Sequence, residues 1–211
     1  MLCNLPESLQ FLKLQTLHET IVKRFGVTPV AFRAGRWGYG SAVAASLEKL
    51  GYTIDTSISP LTDWSHEHGP DFSAVALDPY YFNPPELFTP TATGRMIEIP
   101  VTIGFTQTAS RWASRFSDAL KRRPMNRLRL IGLLATLGVL NKVWLSPEQA
   151  TGRELIALAR RLMRTGVPVI NLFFHSPSLE PGLTPYVRTP ADRRELFTRP
   201  PAEHQEYPGE W

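Results

Sequence analysis

Short strand-like stretches alternating with helix-like ones constrain this chain more than any other feature. Leu9, Leu12, Leu17, Ile21 and Phe25 recur at near-helical spacing, and residues 29–34 are short and rich in Val and Phe. Residues 41–50 then read as an Ala-rich helix and residues 52–55 as a second strand. The order helix, strand, helix, strand argues for parallel βα units, in either a barrel or a doubly wound sheet. Asn4-Leu5-Pro6-Glu7 has the form of a helix start with Asn4 as its cap, while Gly26 and Gly51 close the two helices.

The first strand delivers Arg33 at its carboxyl end, followed by the glycine-rich aromatic turn Gly35-Arg36-Trp37-Gly38-Tyr39-Gly40. Far downstream, residues 168–174 form another strand pattern that delivers His175, and Ser176-Pro177 stops it. Strand ends are where α/β proteins place chemistry, so two ionisable side chains are expected to meet at one face of a sheet or barrel.

Between these points, residues 57–94 carry many prolines and aromatics and read as a long irregular segment, a type that tends to be functional. Residues 96–101 read as a strand, and residues 109–121 and 127–140 as helices. Ser146-Pro147-Glu148-Gln149 has the form of a capping box for a helix running to about Arg164 and stopped by Gly166. One domain is expected over residues 1–197, with residues 198–211 as a Pro-rich C-terminal tail.

Composition narrows the classes of function. The 211 residues are 43% hydrophobic, enough for a substantial core. The net charge of +4 is concentrated in runs such as Lys121-Arg122-Arg123 and Arg160-Arg161. These are not interleaved with aromatics, so a solvated helix face is expected rather than a nucleic-acid surface. Cys3 is the single cysteine, which excludes an intrachain disulfide and a Cys-based zinc site. The apolar run 128–145 is interrupted near its ends by Arg129 and by Asn141-Lys142. It falls short of the roughly 20 residues that span a bilayer, so a buried helix is expected. No basic flank followed by an apolar core opens the sequence, and a cytoplasmic location is expected.

The candidate chemistry lies on few residues. His175 suits a general acid near neutral pH, or a satisfied histidine at a strand end. Arg33 suits a bidentate carboxylate partner, or a structural ion pair. Asp55 suits a carboxylate that fixes an imidazole tautomer, or one that caps the following turn. Arg36, Trp37 and Tyr39 suit a sugar subsite, since aromatic rings stack on pyranose faces, although Trp37 would equally plug the top of the core. Asp63, His66, His68 and Asp71 have metal-ligand residue types, yet they sit in a turn-rich stretch where a solvated loop is the plainer reading.

These residues carry a resemblance. Phe32-Arg33-Ala34-Gly35-Arg36-Trp37-Gly38-Tyr39-Gly40, then Leu50-Gly51-Tyr52-Thr53-Ile54-Asp55-Thr56-Ser57-Ile58-Ser59-Pro60, then Glu98-Ile99-Pro100-Val101-Thr102, and finally the stretch from Phe173 to Gly182 stand in the order of later motifs of a known family. The chain resembles polysaccharide deacetylases of the NodB-homology class, and within it the WalW-like group, over about residues 2–197.

The resemblance implies a distorted (β/α) barrel of the glycoside hydrolase/deacetylase type. It also implies a divalent metal, usually zinc, whose bound water attacks an acetyl carbonyl while an aspartate serves as base. His175 takes the place of the histidine that protonates the leaving amine, Arg33 that of the arginine orienting the base, and Asp55 falls where an aspartate supports the acid. The family's base and its Asp-His-His metal set precede all the matched motifs. This sequence opens with Met1-Leu2-Cys3-Asn4, already at the helix that follows them, and contains no H-x-x-x-H or T-x-D-D pattern.

The expectation is therefore an α/β fold, an incomplete barrel lacking its first strands, with an unpaired edge, no retained metal site and impaired or no activity alone. Its expected partners are a polysaccharide or oligosaccharide and a separately encoded N-terminal segment. Two alternatives are a non-catalytic carbohydrate-binding or scaffold protein, and a metalloenzyme that has rebuilt its site from Asp63, His66 and His68.

Overall fold

The computed structural model describes residues 1–105 and 142–198. The chain divides into two compact units, one comprising Met1–Thr102 with Val167–Asn171, the other Ile103–Gly166 with Leu172–Trp211.

The first unit opens with helix α1, Glu7–Phe25. It ends where the sequence predicts, because Gly26 adopts a left-handed φ of +67° that costs glycine nothing and returns its N–H to Val22. Its start differs. Pro6 occupies the cap position, and the Asn4 amide instead donates to the His68 carbonyl at 2.7 Å. Nor is its apolar spacing a buried stripe: Leu14 is buried, whereas Leu12, Leu17 and Phe25 are exposed.

Strand β1, Ala31–Phe32, leads through the aromatic turn to helix α2, Ser41–Lys49. That helix buries Val43, Ala44 and Leu47 against Leu14, Tyr39, Tyr52, Ile58, Phe82 and Met96. Val43 and Leu47, with no exposed surface, each contribute roughly 1.5–3 kcal/mol by their burial. Strand β2, Ile54–Asp55, follows.

Residues 57–94, expected to be irregular, contain a hairpin of β3, Tyr80–Asn83, and β4, Glu86–Thr91, joined across Pro84-Pro85. The prolines that gave the stretch its loop-like look are tolerated for a tertiary reason. Strand β4 lies at the sheet edge, where Pro90 removes no ladder donor that the sheet needs. Strand β5, Met96–Glu98, completes a five-stranded sheet of order β1-β2-β5-β3-β4. Strands β1, β2 and β5 run parallel, and β3 is antiparallel to both of its neighbours.

This sheet corrects the expected barrel. The free edge of β5, where a further parallel strand would continue a barrel, is taken by β3 through the pairs Tyr80↔Glu98, Tyr81↔Ile97 and Phe82↔Met96. Among the described residues the sheets are open, one of five strands and one of two, and neither closes on itself.

The two-stranded sheet belongs to the second unit and pairs β6, Ile103–Phe105, with β7, Lys142–Trp144, antiparallel. Strand β7 occupies the end of the apolar run expected to be a buried helix. The rest of that run, and the helices expected at 109–121 and 127–140, lie outside the described residues. Helix α3, Gly152–Arg164, begins later than Ser146 because Thr151 and Glu154 form a complete capping box of their own. It lays Leu158 over Gly104, and Arg161 Nη1 donates to the Phe105 carbonyl at 2.7 Å.

Residues 168–174 are extended but join no ladder among the described residues. They are tied by single bonds instead, Thr102 N–H to the Asn171 carbonyl and Phe173 N–H to the Leu145 carbonyl. Helix α4, Pro190–Thr198, ends the described chain, and the rest of the expected tail lies beyond it.

Candidate functional site

In the second unit, His175 and Glu148 form the best-defined polar arrangement. Because α3 starts at Gly152, Glu148 sits in a turn rather than in a helix cap, and its carboxylate gathers three donors. Oε1 accepts the His175 main-chain N–H at 3.0 Å and the Ser178 hydroxyl, and Oε2 lies 2.8 Å from His175 Nδ1. Ser178 Oγ also meets Thr184 Oγ1 at 3.0 Å. The Glu148 side chain has no exposed surface, while that of His175 is 60% exposed. Tyr186 stacks almost parallel on the imidazole, with centroids 6.0 Å apart and planes 10° apart.

A carboxylate can only accept at Nδ1, so that nitrogen carries the ring hydrogen in the neutral form and Nε2 is left as the working atom. The sequence reading missed Glu148 by assigning it to a cap. The available signal was Thr151-x-x-Glu154, a second capping box just downstream that leaves Glu148 unemployed.

In the first unit, Arg33 and Asp55 come together at the carboxyl ends of β1 and β2. Arg33 Nε donates to the Thr56 carbonyl at 3.1 Å and to its hydroxyl at 2.9 Å, and Nη2 donates to Asn171 Oδ1 at 3.1 Å. Asp55 accepts the Ser57 N–H at 2.8 Å and the Ser57 hydroxyl at 2.9 Å, so it secures the turn after β2. The carboxylate on the imidazole is that of Glu148.

Beside Asp55 lies Glu98, its register partner on β5, and both are completely buried. Burial pushes the Asp55 carboxyl up to about 6, with its hydrogen bonds and Arg33 opposing. Burial and then the neighbouring Asp55 raise Glu98 well above the usual carboxylate range. Burial lowers Arg33, against the pull of both carboxylates. The hydroxyls of Tyr39 and Tyr80 are pushed up by burial and by the same two acids. An acidic residue in the apolar strand Met96–Glu98 was the signal for this second carboxyl.

The proposed sugar residues are divided by the fold. Tyr39 is 1% exposed and belongs to the core, so it offers no surface to a saccharide. Arg36 and Trp37 both adopt left-handed φ, 54° and 57°, in the turn after β1. Trp37 stacks on Trp64, 6.4 Å between centroids and 15° between planes, and Trp64 stacks in turn on His66. Trp64 Nε1 is fixed by Ser59 Oγ at 2.8 Å, and Arg36 pairs with Glu67 at 3.2 Å. Trp64 and His66 thus take the place beside Trp37 that was expected of Tyr39.

Of the four metal-type residues of the same loop, Asp63 and Asp71 pair through an antiparallel bridge, yet each side chain has its own partner. Asp63 and Asp71 each accept the main-chain N–H two residues on, both at 2.8 Å, while His66 lies on Trp64 and His68 adopts a left-handed φ of 59°. Among the described residues no three His, Cys, Asp or Glu side chains group so as to hold a metal ion. The zinc that the resemblance implies therefore finds no donor set in them. No helix among them is long and apolar enough to cross a membrane.

Compared with protein-family models, with curated proteins and with solved structures, the sequence matches none.

Proposed function

We propose that this chain is a polysaccharide deacetylase-related protein that engages acetylated cell-surface saccharides, with His175 as its proton donor and with little or no hydrolysis by itself. The observation that carries this reading is the grip of buried Glu148 on Nδ1 of an exposed imidazole, which leaves Nε2 to meet a substrate. In amide hydrolysis, water adds to the acetyl carbonyl, the C–N bond breaks and the departing amine takes a proton. His175 Nε2 would supply that proton when the ring is charged. Among the described residues no three His, Cys, Asp or Glu side chains group so as to hold a metal ion, and slow or absent turnover belongs to the proposal for that reason.

The Trp37–Trp64–His66 stack favours the second reading, a carbohydrate-binding protein without catalysis. Calorimetric titration with acetylated chito-oligosaccharides, paired with acetate release in the presence of zinc, tests both. Saturable binding without metal is expected, weakened about tenfold or more in Trp37→Ala, a loss of about 1.4 kcal/mol or more. Absence of binding to acetylated oligosaccharides removes both readings. Binding that loses nothing in His175→Ala, with no acetate released, selects the second. Zinc-dependent acetate release that His175→Ala abolishes would make the chain a competent deacetylase.

A further inference from the structure

The hydrogens around buried Glu148 run in one direction, and the donors that supply them reach back into the loop after His175. Oε1 accepts the His175 main-chain N–H at 3.0 Å and the Ser178 hydroxyl, and Oε2 accepts from His175 Nδ1 at 2.8 Å. A carboxylate only accepts, so the single hydrogen of Ser178 is spent on Oε1. The contact of 3.0 Å between Ser178 Oγ and Thr184 Oγ1 then takes its hydrogen from Thr184. Thr184 has that hydrogen to give, since towards the Val187 N–H, at 3.3 Å, its Oγ1 is the acceptor. Val187 therefore donates to Thr184, Thr184 to Ser178 and Ser178 to Glu148. Ser178 and Val187 are buried, and the Gly182 N–H closes the loop on the Val187 carbonyl at 2.9 Å.

We propose that Ser178 and Thr184 are positioning residues that act on His175 through Glu148, so that loop 182–187 sets the proton affinity of the imidazole. The proposal rests on the reading of His175 as the proton donor. Each hydrogen given to Glu148 offsets part of its negative charge, and neighbouring hydrogen bonds polarise one another. A carboxylate with fewer donors keeps more charge on Oε2 and holds the imidazolium more tightly. Tyr186, stacked on the ring, lies on the same loop as Thr184. One segment thus governs both the face of the ring and its charge.

The charged and titratable groups around the ring are few. Glu148 reaches it from the turn before α3, and Tyr186 covers it from the loop. Of the charged residues on the adjoining chain, Glu180 pairs with Arg193 of α4 at 3.7 Å, and Asp192 accepts the Arg188 and Thr189 main-chain N–H groups, both at 2.9 Å. Among the described residues His175 is the one cationic side chain that pairs with Glu148, so the remaining stabilisation of that carboxylate comes from the two donors on Oε1.

The test is an NMR titration of the His175 ring in the full chain, without saccharide or metal, for the wild type, Ser178→Ala, Thr184→Val and Thr184→Ser. Ser178→Ala is expected to raise the proton affinity of the ring about threefold or more. Thr184→Val should raise it by less, and Thr184→Ser, which keeps the hydroxyl, should leave it at the wild-type value. A pair with a merely structural role would lower the unfolding midpoint and leave the titration unmoved. A Ser178→Ala protein whose His175 titrates as in the wild type therefore overturns the proposal. Should Ser178→Ala fail to fold, the two Thr184 variants decide: a higher affinity in Thr184→Val than in Thr184→Ser supports the proposal, and equal values overturn it. Because no saccharide is present, this titration and the binding of acetylated oligosaccharides fail independently of each other.

Discussion

Glu148 holds His175 at two points, accepting its main-chain N–H at 3.0 Å on one oxygen and facing its Nδ1 at 2.8 Å on the other. One carboxylate thereby fixes both where the residue's backbone lies and which ring nitrogen points away. Glu148→Gln breaks the second function while keeping the size. An amide nitrogen facing Nδ1 donates to it, so the ring hydrogen moves to Nε2. Nitrogen-15 NMR of the imidazole should report Nδ1–H in the wild type and Nε2–H in the variant. An unchanged tautomer would remove Glu148 from its orienting role. Glu148→Ala, which orphans two donors, should also cost about 1–3 kcal/mol of stability.

Gly94 is a packing requirement of the β3–β4 hairpin. A Cβ there would stand 2.5 Å from both the nitrogen and the oxygen of Phe82, main-chain atoms that cannot rotate aside. Gly94→Ala should therefore destabilise by about 1–3 kcal/mol in chemical unfolding. Gly35→Ala is the matched control, since nothing lies within 4 Å of its added methyl. Equal effects of the two would deny the close approach.

Thr151 carries the start of α3. Its hydroxyl accepts the Glu154 N–H at 3.3 Å, and the Glu154 carboxylate returns to the Thr151 N–H at 2.8 Å. Thr151→Ala should lower stability by about 1 kcal/mol, and Thr151→Ser should recover most of it. The thermal unfolding midpoints of the three proteins give the comparison.

Lys142 should give a pH dependence opposite in sign to that of the buried acids. Burial lowers its ammonium to about 8, with Nζ 5.5 Å from the centre of the Trp144 ring. For a base with a depressed folded pKa, the penalty is complete below that value and disappears as pH approaches the unfolded value, near 10.4. Stability should rise with pH across that window, and Lys142→Met should abolish the rise. A variant that keeps the wild-type slope would exclude Lys142 as its source.

Much of the first unit was legible in the amino-acid order. The end of α1 at Gly26, the span of α2 and the strand-like segments holding β1, β2 and β5 all followed from signals within a few residues of each other. The close of α3 just before Gly166, at a left-handed φ of +86°, belongs with them. The β3–β4 hairpin did not, because Pro79, Pro84, Pro85 and Pro90 make a strand look like a loop unless its place at a sheet edge is known. The barrel expectation failed at that same hairpin, which covers β5 from the antiparallel side.

The candidate site divides along the same line. The sequence by itself determined that Arg33 and Asp55 follow or end short strands and that His175 follows an extended apolar run, since backbone conformation and periodicity are local properties. Only the tertiary structure decided their partners. Glu148 reaches His175 across 27 residues because a downstream capping box leaves it in a turn. Glu98 meets Asp55 because two parallel strands pair in one register. Tyr39 is withdrawn into the core cluster against which Trp37 and Trp64 pack, and burial of that kind is set by which distant side chains fill the space around a residue.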